Sequence, residues 1–358
     1  MIKMDILLQG IIGEKAVLVS SSMALWSMTT SNCIGPEIPH ILPAASPPRQ
    51  YPLLAKGALA AFQMEIYYQN GGKIMKIIEQ FIKGKENDSK TCEDGLFTGS
   101  FMAAVIDGVT PKSRHLWQGK TSGCYAKDIL LAFLGKIQRS ELKSQTREEF
   151  FSLLDRQLAI ASGMPARKAG AGNSDSGALR FTDYPRASII LYNDICHEIW
   201  AYGDCQCTVN GRVYTHEKEI DRLNAGLRAF CLEYELQKGK TIEELAQLPA
   251  DPGRTAIEEN LKLQMAFENK NIPFGYPVLN GQGIAPSMIK VYPVKSGDEI
   301  LLASDGYPVL GGTLEESEKE LQRILKEDPL CFRAYRSTKG KKSCNISFDD
   351  RAYCRILV

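Results

Sequence analysis

Histidine is nearly absent from this chain, with four in 358 residues. The ten cysteines never fall in a Cys-x-x-Cys pair. Both shortages argue against a structural zinc site, which needs such ligands at short, fixed spacing. An excess of charge of one sign is missing as well. The net charge is +1, so nothing draws the chain to nucleic acid or to an anionic membrane surface. Long apolar runs are also lacking. The longest uncharged run, Ala16 to Pro36, is rich in Ser and Thr and ends in Gly-Pro, a poor membrane span. It lacks the compact apolar region and small-residue cleavage site of a signal peptide. Two nucleotide-binding signatures fail too. Gly119-Lys120-Thr121 has Arg114 where a phosphate loop needs its first glycine. Gly170-Ala171-Gly172 has no third glycine at the dinucleotide-binding spacing.

What is present is an ordinary globular composition, 44% hydrophobic and 24% charged, in a chain long enough to bury a sizeable core. Scattered cysteines, several in apolar stretches, read as small buried hydrophobes in a reducing compartment, and a cytoplasmic location is expected. The informative feature is a set of acids at the ends of apolar runs. Ala103-Ala104-Val105-Ile106 is a buried strand that stops at Asp107-Gly108. Ile300-Leu301-Leu302-Ala303-Ser304 stops at Asp305-Gly306 in the same way. Glu93-Asp94 precedes the first strand, Gly203-Asp204 follows another, and Asp349-Asp350 precedes the last apolar run. One Asp-Gly is usually a turn. Several acids at strand ends, far apart in sequence, can instead converge on hard divalent ions, which take oxygen ligands.

The order of these pieces resembles the metal-dependent protein phosphatases of the protein phosphatase 2C-like (PPM) type. The pieces are Cys92-Glu93-Asp94, Val105-Ile106-Asp107-Gly108, Gly203-Asp204, Ala303-Ser304-Asp305-Gly306 and Asp349-Asp350. The resemblance covers about Met75 to Val358. It implies an α+β fold: two packed antiparallel β-sheets flanked by α-helices, an α-β-β-α sandwich with the metal cleft at one end. It implies two Mn²⁺ or Mg²⁺ ions, with Asp107 bridging both and the Gly108 carbonyl binding one. Asp305 and Asp349 would hold the first ion, and Glu93 and Asp94 the second, partly through water. Asp107 and Asp305 thus carry the catalytic role, and a water activated by the ions would attack phosphorus without a covalent intermediate. Asp350 competes with Asp349 for the last ligand. Asp204 is either a water-mediated ligand or an acid turning between strands. The implied substrate is a phosphorylated protein, with phosphoserine or phosphothreonine as the target. A monomer is expected, with no nucleic-acid or membrane partner.

Departures from that pattern bear on the substrate. Val109-Thr110 stands where many members have a histidine, and His115 reads as a surface residue. No arginine precedes Glu93-Asp94; Lys85 and Lys90 lie close, and Lys90 is a weak candidate for the phosphate. Tyr307-Pro308 replaces the usual acid after Asp305-Gly306. These gaps leave open an alternative, a weakly active or inactive module that binds phosphorylated partners.

Residues 1–74 show no clean period and are expected to form an N-terminal extension, poorly ordered or partly helical, outside a phosphatase domain at 75–358. Met75 is a possible natural start. Strands are expected over Ile77–Ile82 (where a short amphipathic helix fits nearly as well), Phe97–Ile106 (one strand or a pair), Ala187–Tyr192, Glu198–Tyr202, Met288–Pro293, Ile300–Ala303 and Ala352–Val358. A further hairpin, Cys205–Val209 with Arg212–Thr215, turns at Asn210-Gly211. Helices are expected over Tyr125–Ile137, Glu148–Ala161, Glu219–Gln237, Thr255–Asn269 and Leu314–Leu325, with a loop from Pro165 to Tyr184.

Overall fold

Two antiparallel five-stranded sheets, stacked face to face, make up the framework of the computed structural model. Residues 75–164 and 179–358 are described, and all belong to one compact unit. The expectations for residues 1–74, and for most of the loop from Pro165, lie outside the described residues. The first sheet runs β1 (Lys76–Lys83), β10 (Arg351–Leu357), β9 (Glu299–Ala303), β6 (Gln206–Val209), β7 (Arg212–Tyr214). The second runs β2 (Asp94–Thr98), β3 (Met102–Gly108), β4 (Ala187–Asn193), β5 (Glu198–Tyr202), β8 (Lys290–Pro293). Helices α1 (Ser122–Leu134) and α3 (Arg147–Ala161) cover the outer face of the second sheet. Helix α8 (Leu314–Glu327) lies against the outer face of the first. The α+β sandwich expected above is the observed architecture.

The period of two along each strand puts the acids where they are. On β3, Ala103 and Val105 face the other sheet, while Met102, Ala104 and Ile106 face the helices. Asp107 continues the inward row and emerges between the sheets. Asp94 pairs directly with Asp107 across β2 and β3, so its side chain shares that face. On β10, Ala352, Cys354 and Ile356 face inward, and Asp349-Asp350 enters the same end just ahead of them. On β9, Ile300 and Leu302 point inward before the chain turns at Ser304-Asp305. Thus apolar residues fill the inter-sheet layer, and the acids collect where it ends.

Helix α1 begins against this end. Thr121 caps it, its Oγ1 accepting from the Cys124 N–H at 3.3 Å. A Cβ on Gly108 would lie 2.4 Å from the Gly123 carbonyl oxygen, and one on Gly123 would lie 2.8 Å from the Gly108 carbonyl. The two backbones touch, and only glycine on both sides permits it.

Four elements differ from expectation. The single helix expected over Thr255–Asn269 is α6 (Pro252–Ala256), α7 (Glu258–Leu263) and a 3₁₀ turn at Gln264–Phe267. The break falls at Ile257, which leaves helical geometry to bury completely. Packing of that side chain overrides a helical period. The strand expected from Met288 starts at Lys290, because Pro286–Met288 forms a 3₁₀ turn. Helices α2 (Arg139–Ser144) and α5 (Ile242–Gln247) are six residues each, too short to show a period. They were not anticipated. Helix α4 (Glu219–Gln237) has the expected limits. Asn210 and Gly211 have φ of 49° and 79°, the left-handed pair of a type I′ turn.

A paired substitution tests the close approach. Gly123→Ala should lower the free energy of unfolding by about 1–3 kcal/mol, the usual cost of overpacking. Gly226→Ala, inside α4 with nothing near the added Cβ, should raise it by about 0.4–1 kcal/mol. Urea denaturation of the two variants measures both signs.

Candidate metal centre

A cleft of about 280 Å³ opens at the acidic end of the sandwich. Its lining includes Asp107, Asp204, Asp305 and Asp349. Glu93, Asp94 and Asp350 sit just beneath, each less than 5% exposed. The structure therefore brings together the acids singled out in the sequence. It divides them by their partners.

One group is held by the protein's own cations. Lys85 Nζ lies 3.0 Å from Glu93 Oε2, 3.0 Å from Asp350 Oδ2 and 3.6 Å from Asp349 Oδ1. Glu93 also accepts from Thr121 Oγ1 at 2.7 Å and Thr110 Oγ1 at 3.3 Å. Asp349 is paired as well with Lys339, whose Nζ donates to Thr110 Oγ1 at 3.1 Å. Burial alone would raise the Asp349 carboxyl, but the charges of Lys339 and Lys85 hold it below its usual range. Asp204 follows the same rule. Lys218 Nζ is 2.5 Å from Asp204 Oδ2 and Ser188 Oγ is 2.5 Å from Oδ1, so its carboxyl is lowered despite burial.

The other group is Asp94, Asp107 and Asp305. Among the described residues none of the three makes an ion pair. Burial pushes the Asp94 carboxyl well up, and the Asp350 charge adds to it. Burial, then Asp305 and Asp94, does the same to Asp107. Asp305 is pushed up to about 7 by burial and by the charges of Asp204 and Asp349. Asp94 Oδ2 is buried without a hydrogen-bond partner. Such an oxygen, among acids that repel one another, is costly unless a cation joins them.

Those three oxygen-bearing side chains fit a hard divalent ion, and the orphaned Asp94 oxygen marks the side from which it would be held. Asp349 lines the same cleft, and Gly108 follows Asp107 directly in the chain. No three His, Cys, Asp or Glu side chains among the described residues form a ready-made cage. The acids are close but spread, as mutual repulsion and the lysine pairs would leave them.

Asp349 lines the cleft, whereas Asp350 is spent on structure. Asp350 accepts from the Lys85 N–H at 2.7 Å and the Glu93 N–H at 3.1 Å, tying β10 to the start of β2. Lys90 is exposed and does not line the cleft. Cations that do line it, and that the sequence left unmarked, are Lys112, Lys218, Arg254, Arg336 and Lys339. Arg254 Nη1 donates to the Thr338 carbonyl at 2.9 Å and Lys112 Nζ to the Thr110 carbonyl at 2.8 Å. Burial, with Arg254 and Lys339 nearby, pushes Lys112 down to about 7. Tyr307, in the place of the usual acid, is buried with its hydroxyl 2.8 Å from Glu318 Oε1.

A pH prediction follows from the unpaired acids. An ionised Asp305 is disfavoured in the folded protein, so its carboxyl binds a proton there at pH values where the unfolded chain has lost it. That contribution is complete below pH about 4 and is lost as pH rises through about 7. The metal-free protein should therefore lose stability between pH 5 and pH 7.5, by up to about 1.4 kcal/mol per pH unit for each such group. Asp305→Asn should make the fall shallower. Melting temperatures in chelator across that range measure it.

No protein-family model matches the chain, and no curated protein matches it. Among solved structures it is similar to the Mycobacterium tuberculosis serine/threonine phosphatase PstP/Ppp, at 15% identity and a TM-score of 0.37 over 80% of this chain and 99% of that one. It is similar to the catalytic domain of the serine/threonine phosphatase PstP in complex with two manganese ions, at 12% identity and 0.38 over 80% and 99%. It is similar also to serine/threonine phosphatase Stp1 from Staphylococcus aureus, at 15% and 0.40 over 82% and 99%. The fold stands on the sheet pairings themselves and the chemistry on the cleft; the chain resembles the metal-dependent protein phosphatases in the order of its acids.

Proposed function

We propose that the chain is a metal-dependent phosphatase that hydrolyses phosphoserine or phosphothreonine on proteins. The observation that carries this reading is the cleft's division of charge. Asp107 and Asp305 line it, with Asp94 just beneath them, all three without a basic partner, and Lys112, Arg254 and Lys339 stand on its wall. A divalent cation at the floor would supply Lewis acidity, activating water toward phosphorus and offsetting phosphoryl charge. The residues do the rest. Asp107 holds the centre of the floor, fixed by its β3 register opposite Asp94. Asp305 approaches from the other sheet. Lys112, Arg254 and Lys339 bind and orient the phosphoryl oxygens. Thr110 and Thr121 fix Glu93 behind the floor.

A phosphomonoester carried on an exposed side chain suits a cleft open to solvent, and a protein substrate follows the resemblance set out above. No helix among the described residues is long and apolar enough to cross a membrane. Nine cysteines are free among the described residues, which supports a reducing, cytoplasmic setting. A second reading has an observation in its favour. Lys85 and Lys339 already satisfy Glu93 and Asp349, as they would in a module that recognises phosphate without turning it over.

Hydrolysis of p-nitrophenyl phosphate and of a phosphothreonine peptide, with and without MnCl₂, separates the two. The proposal expects manganese-dependent turnover. Asp107→Asn should lower it by several orders of magnitude and weaken manganese binding while leaving the fold intact, since the neutral amide removes a repelling charge. Lys339→Met should lower kcat/KM about ten- to hundredfold, because a hydrogen bond to a charged group is worth about 1.5–3 kcal/mol. Tight phosphopeptide binding with no turnover would establish the recognition module instead.

A further inference from the structure

Glu93, one of the two acids assigned by resemblance to a second metal ion, already holds an ammonium group, with Asp349 and Asp350 beside it. We propose that Lys85 is a tethered cation standing where a second divalent ion would sit, so that the cleft binds one metal ion rather than two. This rests on the phosphatase reading of the cleft, and it departs from the two-ion site that the sequence resemblance implies.

Lys85 is not a long side chain that has merely found an acid. It is fixed along its whole length. Its N–H donates to Asp350 Oδ1 at 2.7 Å, and its carbonyl accepts from the Ile346 N–H at 2.8 Å. The preceding Gly84 is packed so closely that an added Cβ would lie 2.7 Å from the Asp88 carbonyl oxygen and 3.3 Å from Cys92 Cβ. The loop after β1 is thereby pressed onto the segment just ahead of β2 that carries Glu93, and the Lys85 side chain is 16% exposed. Its Nζ then reaches Glu93 and Asp350 at 3.0 Å each, with Asp349 at 3.6 Å.

The surrounding acceptors are already spoken for. Both Glu93 oxygens take hydroxyl donors, from Thr121 and Thr110. Asp350 Oδ2 accepts from the Glu93 N–H as well as from Lys85 Nζ. A divalent ion on Glu93 would have to displace an ammonium that the backbone holds in place, and would meet its positive charge at contact. The opposite holds a few residues away, where Asp94 Oδ2 has no partner and Asp107 and Asp305 have no basic neighbour in contact. An ammonium has three donors and no acceptor. It can stand permanently between Glu93 and Asp350 and offset part of their charge, but it cannot coordinate water. One side of the site therefore carries cations of the chain itself, and the other takes its cation from solution.

Manganese stoichiometry decides the point, without substrate. Isothermal titration of the full chain with MnCl₂ should give one ion per chain for the wild type and for Lys85→Arg, and two for Lys85→Met. Electron paramagnetic resonance should show an isolated-ion spectrum for the wild type and an exchange-coupled pair only in Lys85→Met. Two ions in the wild type, or a coupled wild-type spectrum, would overturn the proposal even if Lys85→Met failed to fold. A folded Lys85→Met that still binds one ion would overturn it too. No ion in the wild type with one in Lys85→Met would support the role of Lys85 and remove the metal site from Asp94, Asp107 and Asp305, so failure of this proposal and failure of the phosphatase reading are told apart.

Discussion

Repulsion among carboxylates gathered where two sheets end is the constraint around which this fold is arranged. Seven acids meet there, and water reaches few of them. Like charges in such a place either find cations or hold protons. The protein supplies cations for Glu93, Asp349 and Asp350 through Lys85 and Lys339, and for Asp204 through Lys218. For Asp94, Asp107 and Asp305 it supplies none in contact, and their carboxyls are driven toward the protonated form. A cost so localised, with stabilising pairs available on every side, is the physical ground for assigning those three to an ion from solution.

The framework bears this cost because it is rigid on both sides of the acids. Ala103, Val105, Ile300, Leu302, Ala352 and Cys354 close the inter-sheet layer immediately behind them. Phe151, Leu154, Trp200 and Tyr202 hold the second sheet against its helices. The contact of Gly108 with Gly123 brings the start of α1 to the site, and the Thr121 that caps the helix is the residue that binds Glu93.

Much of this could be read from the chain. Val105 to Gly108 and Ile300 to Gly306 announce strands that end at acids, because the same apolar run broken by Asp-Gly occurs twice, with further acids at the ends of other runs. Asn210-Gly211 marked its turn by the left-handed geometry that those two residues tolerate. The lysines and arginines on the wall could not be read in the same way. Lys112, Arg254 and Lys339 come from three separate loops or helix starts, and only the closed fold shows that they face one cleft. In the sequence Lys85 is merely a nearby cation; its grip on Glu93 and Asp350 depends on β1 and β10 lying side by side. The break at Ile257 was hidden because burial, not local propensity, ends the helix there. Helix α5 did carry a signal, the reciprocal capping pair of Thr241 and Glu244.

The most direct measurement of the central claim is an anomalous-difference map at the manganese edge, from crystals grown in MnCl₂. The account predicts a peak among the Asp94, Asp107 and Asp305 carboxylates, with Asp94 Oδ2 turned toward it. A map with no peak in the cleft, or with manganese held elsewhere while Asp94 Oδ2 keeps no partner, would contradict it.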